Sequence, residues 1–372
     1  MIRWCRNCIL PDTRPNLVIG PDGVCNACKT HATKPQIDWK ERGSAFEAVV
    51  ANAKARSEGW DCVIPVSGGK DSTWQVVTML EHGLNPLCVT WKTPARTEIG
   101  RRNLENMIAL GVDHMDVQIS PRVERHFMLK ALERYGDSGV PMHMALHAIP
   151  LQIALRFNIP LVIFGENPAF EYGSPEQAHM GYRIDGSWLK LFGRTHGTTE
   201  VDWRDGMLTD KTMRPYRRPS EAELERADVR AVFLGHYFKW DPQEVFEVAS
   251  RHGFQAAETA RTGLWSYADI DDDFISVHHH PKWYKFGFTR LFDNLSVDIR
   301  NGRITRADAI EVVRRTGDQT PTEDIEKFCA FVGIPTKRFF EIMETFRNPQ
   351  VWRNDGGTWR IPGFLIEDWK WA

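Results

Sequence analysis

Between Cys62 and Val77 the chain reads "CVIPVSGGKDSTWQVV": an apolar run, two glycines beside lysine, aspartate and serine, then an amphipathic stretch. This strand–loop–helix signature constrains the fold more than any other feature, because the residues after it repeat its rhythm. Strands are predicted over 61–66, 86–91, 114–119 and 160–164, with helices over 72–81, 98–110, 122–135 and 142–157 between them. Short apolar runs such as "PLVIF" alternating with helical periods imply parallel strands joined by helical crossovers. The expected class is α/β, a parallel sheet with helices on both faces. Ahead of the first strand, "SAFEAVVANAKAR" predicts a helix over 44–56, with Ser44 and Glu47 spaced as a capping box.

The 372 residues divide into three expected regions: a cysteine-bearing ribbon over 1–36, the strand–helix domain over 37–218 and a mostly helical carboxy-terminal region over 219–372. Residues 166–218 are rich in Gly, Pro and polar side chains and read as loops over a site. Further helices are predicted over 305–315, 322–332 and 336–347. The formal net charge of −2 argues against a protein that coats nucleic acid, which would carry a basic excess. No apolar run approaches the ~20 residues that span a bilayer, and "MIRWCRNCIL" lacks a signal-peptide core. A soluble, cytoplasmic chain with no membrane partner is therefore expected. Many tryptophans are present, which suits core packing and also suits stacking on sugars and bases.

Cys5, Cys8, Cys25 and Cys28 form C-x2-C-x16-C-x2-C. Two tight knuckles at this separation match a closed, tetrahedral structural zinc site. An iron–sulfur site or free thiols are the competing readings. Cys62, Cys88 and Cys329 lie in apolar surroundings and read as core residues.

The loop Ser67-Gly68-Gly69-Lys70-Asp71-Ser72 departs from the nucleotide-triphosphatase pattern G-x-x-x-x-G-K-[ST]. Between a strand and a helix it still gathers backbone N–H groups and a helix N-terminus at one point, an anion site. Asp71 would repel phosphates unless a cation such as Mg2+ bridges them. S-G-G-x-D-S after a strand resembles the PP-loop ATP pyrophosphatases, the adenine nucleotide alpha hydrolase-like enzymes, which cleave ATP between the α and β phosphates.

A closer resemblance runs through "WCRNCILPDTRPN", "DGVCNACK", "CVIPVSGGKDS", "EIGRRNLENMIALGVD", "FNIPLVIFGENPAFEYG" and "YKFGFTRLFDNLSVDIRNGRITRADAI". These segments resemble the N-acetyl sugar amidotransferases of bacterial surface-polysaccharide synthesis, the O-antigen and pseudaminic/legionaminic type. The resemblance implies conversion of an N-acetyl group on a UDP-linked diacetamido sugar (uronate) to an acetamidino group. ATP would adenylylate the amide oxygen and ammonia would displace AMP. It also implies separate ammonia-supplying subunits like the glutaminase and cyclase of histidine biosynthesis. The segment "GVPMHMALHA" lacks the cysteines that family members often carry there, leaving His143 and His147 as potential ligands.

The expected roles follow. Ser67, Gly68, Gly69 and Ser72 cradle phosphates, Lys70 neutralises departing pyrophosphate, and Asp71 holds magnesium. Glu166, catalytic, and Asn167, substrate-binding, follow a strand and so belong to the ligand edge of the sheet. A plain polar turn is the competing reading of that pair. Arg101 and Arg102, at a helix start, and Lys285 and Arg290, in "YKFGFTR", are candidate substrate contacts. His278, His279 and His280 are expected to form a surface cluster. The rival enzyme reading is a tRNA thiolation enzyme of the zinc-ribbon PP-loop type, which would need further cysteines. A non-catalytic zinc-ribbon scaffold is a third, opposed by the intact loop.

Overall fold

The computed structural model describes residues 2–371. Helix α1 (Asn26–Thr33) closes the ribbon, and α2 (Trp39–Arg56) leads into the sheet domain. There follow β1 (Cys62–Pro65), α3 (Lys70–Glu81), β2 (Pro86–Trp91), α4 (Glu98–Ile108), β3 (Asp113–Val117), α5 (Pro121–Tyr135), α6 (Val140–Arg156) and β4 (Leu161–Phe164). The predicted strands and helices are all present, with ends shifted by a few residues. The start of α2 differs more. Asp38 caps it by accepting hydrogen bonds from the N–H groups of Lys40 and Glu41, so Ser44 and Glu47 lie inside the helix. There the Ser44 hydroxyl donates to the Lys40 carbonyl, and no capping box forms.

Residues 166–218 are not simply loops. They hold α7 (Pro168–Tyr172), α8 (Gly186–Phe192), α9 (Asp210–Met213) and several single 3-10 turns. Beyond them come α10 (Glu221–Arg226), β5 (Arg230–Phe233), α11 (Leu234–Tyr237) and α12 (Pro242–Arg251). The strand β5 went unpredicted, and through it the sheet continues past residue 218. The carboxy-terminal helices are α13 (Phe274–His279), α14 (Pro281–Phe286), α15 (Arg290–Arg300), α16 (Arg306–Thr316), α17 (Thr322–Val332) and α18 (Thr336–Thr345), followed by a hairpin of β6 (Arg353–Asp355) and β7 (Thr358–Arg360).

The main sheet has the order β3-β2-β1-β4-β5, and every pairing in it is parallel. Side chains alternate across it. Ile64, Cys88, Ile163 and Val232 face Phe46 of α2, Val76 and Met79 of α3, Leu104 of α4 and Val245 of α12. Val63, Val89, Val162 and Phe233 face α5 and α6, and the same core takes in Phe274, Phe328 and Phe339 of α13, α17 and α18. Helices thus cover both faces, and fully buried parallel strands read as continuous apolar runs for that reason. A separate core joins the ribbon (Ile9, Leu10, Leu17, Ile19) to Leu291, Phe292 and Leu295 of α15 and to Phe364. No helix among the described residues is long and apolar enough to cross a membrane.

Candidate active site

The strand order sets the position of the site. The chain leaves β1 for β2 and β3 on one side, then returns to add β4 and β5 on the other. The connections diverge at the carboxyl ends of β1 and β4, which opens a crevice there. The loop after β1 is Ser67–Gly69, and the loop after β4 is Gly165–Asn167.

The first loop is held by its own atoms. The Ser67 N–H donates to Ser72 Oγ at 3.0 Å, and the Gly69 N–H donates to Ser67 Oγ at 3.2 Å. Gly68 has φ +88°, and a Cβ there would stand 2.7 Å from the Leu104 backbone nitrogen. Only glycine meets both conditions. Lys70 is buried, its Nζ 2.6 Å from Asp71 Oδ2 and 5.7 Å from the Trp240 ring centroid. The second Asp71 oxygen accepts from Trp240 Nε1 at 2.9 Å.

Glu166 faces this pair from the second loop. Burial pushes its carboxyl up to about 7, the Asp71 charge adds to the rise, and Lys70 opposes it. Asp71 and Glu166 offer the carboxylate oxygens that a divalent cation takes, while here the two Asp71 oxygens are engaged by Lys70 and Trp240. Asn167 departs from its expected role. Its amide nitrogen donates to the carbonyls of His179 and Gly181 at 2.8 and 2.9 Å. Its oxygen accepts from the Ala169 N–H and from Trp188 Nε1, both at 3.0 Å. With every side-chain polar atom engaged and only 2% of its surface exposed, Asn167 serves here as the cap of α7.

Glu166 also lines a cavity of about 510 Å³, within the usual range for a small-molecule site. The loop Ser67–Ser72 borders Glu166 but supplies no wall to this cavity. Lys285 and Arg290 do line it, together with Arg14, Lys282, His147 and His278. Arg290 pairs with Asp269 at 2.9 Å. Arg14 and Lys282 share Asp293, at 2.8 and 2.9 Å. His278 Nδ1 lies 2.8 Å from Asp137 Oδ1, an approach that a Cβ on Gly139 would block at 2.3 Å. Arg101 and Arg102 do not take part. Arg101 pairs with Glu98 and Glu105 on the exposed face of α4, and Arg102 is exposed beside it.

The histidine run was misplaced as a surface cluster. His278 and His279 are each only 7% exposed, inside a helix that closes the cavity. No periodic pattern marks a buried polar face, and three adjacent imidazoles look solvated in sequence. Arg14 was missed because it comes from the ribbon, remote in sequence from the sheet. Its presence in the quoted "PDTRPN" segment was the available signal.

The four ribbon cysteines converge. Their sulfurs all lie within 4.8 Å of one another, with Cys5–Cys28 at 3.9 Å and Cys8–Cys25 at 3.8 Å. A tetrahedral ion with bonds of about 2.3 Å requires sulfurs roughly 3.8 Å apart. The Cys25 N–H donates to Cys5 Sγ and the Cys28 N–H to Cys25 Sγ, as thiolate ligands demand. The set fits a structural Zn2+. Among the described residues no other group of three or more metal-ligating side chains converges.

Residues 261–364 match the model of a family described as "LPS biosynthesis protein WbpG-like, C-terminal domain". This segment includes the α13–α15 wall of the cavity. Comparison with curated proteins gives no match. Among solved structures, NMN synthetase from Francisella tularensis aligns with 16% identity and a TM-score of 0.29, over 52% of this chain and 92% of that one. The NH3-dependent NAD synthetase from Campylobacter jejuni aligns with 15% identity and a TM-score of 0.30, over 58% and 93%. Likeness of this grade carries no inference about chemistry, and the fold stands on its own strand order.

Proposed function

We propose that this chain, whose residues 261–364 carry a WbpG-like domain of LPS biosynthesis, is an ATP-dependent amidotransferase acting on a UDP-linked N-acetyl sugar. One observation carries the reading: Glu166 belongs at once to the crevice holding Lys70 and Asp71 and to the basic cavity walled by the matched domain.

An amide is a poor electrophile, and adenylylation corrects this. The amide oxygen attacks the α-phosphorus of ATP, the bond to the β-phosphate breaks, and pyrophosphate leaves as the amide N–H proton is released. Ammonia then adds to the imidate carbon, the C–O bond breaks, and AMP departs from an acetamidinium product. Ser67, Gly68, Gly69 and Ser72 hold phosphates through backbone and hydroxyl donors. Lys70 stabilises the charge that develops on pyrophosphate. Asp71 and Glu166 would hold Mg2+, which supplies neutralising charge to the phosphates. Lys285 and Arg290, with Arg14 and Lys282, would meet the anionic groups of the sugar nucleotide.

Ammonia is assigned to a separate glutaminase subunit. The cysteines outside the ribbon are buried, and burial pushes the thiols of Cys62 and Cys88 up, the opposite of an activated nucleophile. The same isolation disfavours the tRNA thiolation reading. The test is incubation of a UDP-linked diacetamido uronate with ATP, Mg2+ and ammonium. Conversion of amide to amidine lowers the sugar mass by about one unit, with AMP and pyrophosphate as co-products. Formation of ADP, or stimulation of pyrophosphate release by tRNA instead of the sugar, would refute it.

A further inference from the structure

The turn "GRTHG" after α8, residues 193–197, contributes Arg194 and His196 to the wall of the main cavity. Both residues have φ +52°, in the left-handed region that side chains seldom adopt. Such a backbone persists where other contacts hold it, and it recurs at ligand clamps. The contacts are present. His196 Nε2 lies 3.1 Å from Asp137 Oδ2, and Arg194 Nη1 lies 3.2 Å from His278 Nε2. His278 Nδ1 approaches the other Asp137 oxygen at 2.8 Å, and that oxygen also accepts from the Gly139 N–H at 2.9 Å. Arg194, His278, Asp137 and His196 thus form one connected chain that ties the turn to α13.

The cavity's charges do not balance. Asp293 serves Arg14 and Lys282, Asp269 serves Arg290, and Asp137 serves the two histidines. Lys285 is without an acidic partner among the described residues but lies over the Phe346 ring, 5.5 Å from its centroid. Arg194 likewise forms no ion pair among the described residues. Its one side-chain hydrogen bond goes to His278 Nε2, which accepts it as the unprotonated nitrogen of a neutral ring. The surrounding protein, and then the charge of Arg14, disfavour the Arg194 cation; Asp293 and Asp137, beyond ion-pair reach, offset this only in part, and Arg290 adds to the repulsion. A guanidinium does not shed its proton, so the imbalance stands until an anion meets it. The side chain remains accessible, with a fork of five N–H donors of which one is used.

We infer that Arg194 is a specificity-determining residue of the acceptor site, its fork taking a pair of anionic oxygens on the acceptor, from a carboxylate on the sugar or from the diphosphate beside it. The inference deepens the amidotransferase reading and rests on its UDP-linked acceptor. A guanidinium matches either group through two parallel N–H···O bonds. The links through His278, Asp137 and His196 hold the turn in place beforehand, so little ordering is left to occur on binding.

Binding tests this without turnover. Calorimetry on the full chain would compare UDP, UDP-N-acetylglucosamine and a UDP-linked diacetamido uronate. An α,β-methylene ATP analogue is kept present, so that the Ser67–Ser72 loop does not take the uracil nucleotide. Arg194→Gly removes the fork and suits the left-handed backbone, so it should fold normally. If the fork reads the carboxylate, Arg194→Gly weakens the uronate about tenfold or more and leaves the other two ligands within about twofold. If it reads the diphosphate, all three weaken about tenfold or more. Arg194→Lys keeps the charge without the fork and should recover only part of the loss. Arg102 is exposed on α4, and Arg102→Ala should leave all three ligands within about twofold. The inference is overturned by unchanged binding in Arg194→Gly, by full recovery in Arg194→Lys, by an equal loss in Arg102→Ala, or by wild-type protein that binds none of the three. Wild-type protein that binds them yet makes no AMP refutes the functional reading alone, and the affinity ratio of Arg194→Gly to wild type still judges the fork.

Discussion

Glu166 and Asn167 are neighbours in sequence, equally polar and equally placed after a strand, yet their fates are opposite. The Asn167 side chain turns inward to cap α7, while Glu166 turns to Asp71 and the cavity. Sequence places both at the ligand edge of the sheet and cannot say which way each points, because that depends on donors supplied from Trp188 and the segment near His179. Glycines were more legible, since Gly68 sits in a motif whose backbone angle excludes other residues. The raised carboxyl of Glu166 yields a pH-dependent prediction. Its folded value is near 7, above an ordinary glutamate, so the folded state binds a proton more tightly than the unfolded chain. Stability from this group is present at low pH and is lost as pH rises through about 7. Glu166→Gln removes the ionisation, so its melting temperature relative to wild type should increase from pH 5 to pH 8 in the absence of nucleotide and divalent metal. Differential scanning calorimetry across that range checks it, and a flat difference would show that Glu166 is not held in the environment described.

Among elements, the legible ones were those with a local cause. The strands β1, β2 and β4 are contiguous apolar runs because both faces are covered, and Gly136 ends α5 in a left-handed turn that glycine supplies cheaply. The strand β5 is only "RAVF", opens on an exposed arginine and follows a polar helix, so its strand state comes from pairing with β4. The segment around α7 and α8 owes its shape to a tertiary contact, the Asn167 amide joining α7, the Gln177–Met180 turn and α8. Removing it strands buried partners. Asn167→Ala should cost about 2–4 kcal/mol, since the Trp188 N–H and two carbonyls lose their mates. Urea unfolding measures it, and a loss below about 0.5 kcal/mol, the size of an ordinary surface substitution, would contradict the cap.

At the scale of the whole molecule, the ribbon is no appendage. Its apolar residues share one core with α15 and Phe364, the Arg306 guanidinium donates to the Cys8 carbonyl, and Arg14 extends from it into the cavity. The cysteine spacing made a metal module legible, but its packing against residues some 290 positions away was not, because no local pattern records a contact between distant segments. This coupling makes metal loss a test of architecture. If zinc holds the ribbon, the ribbon holds Arg14 and one side of α15, and the apolar core they share is separate from the two cores packed on the sheet. Chelation, or Cys8→Ser, should therefore lower the melting temperature by roughly 5–10 °C. Hydrogen exchange should accelerate through residues 2–28 and α15, while β1, β2 and β4 keep their protection. Affinity for UDP should fall with it, since Arg14 is one of the cations walling the cavity. Loss of protection across the sheet would mean that the metal supports the whole fold, and unchanged UDP binding would remove the ribbon from the acceptor site.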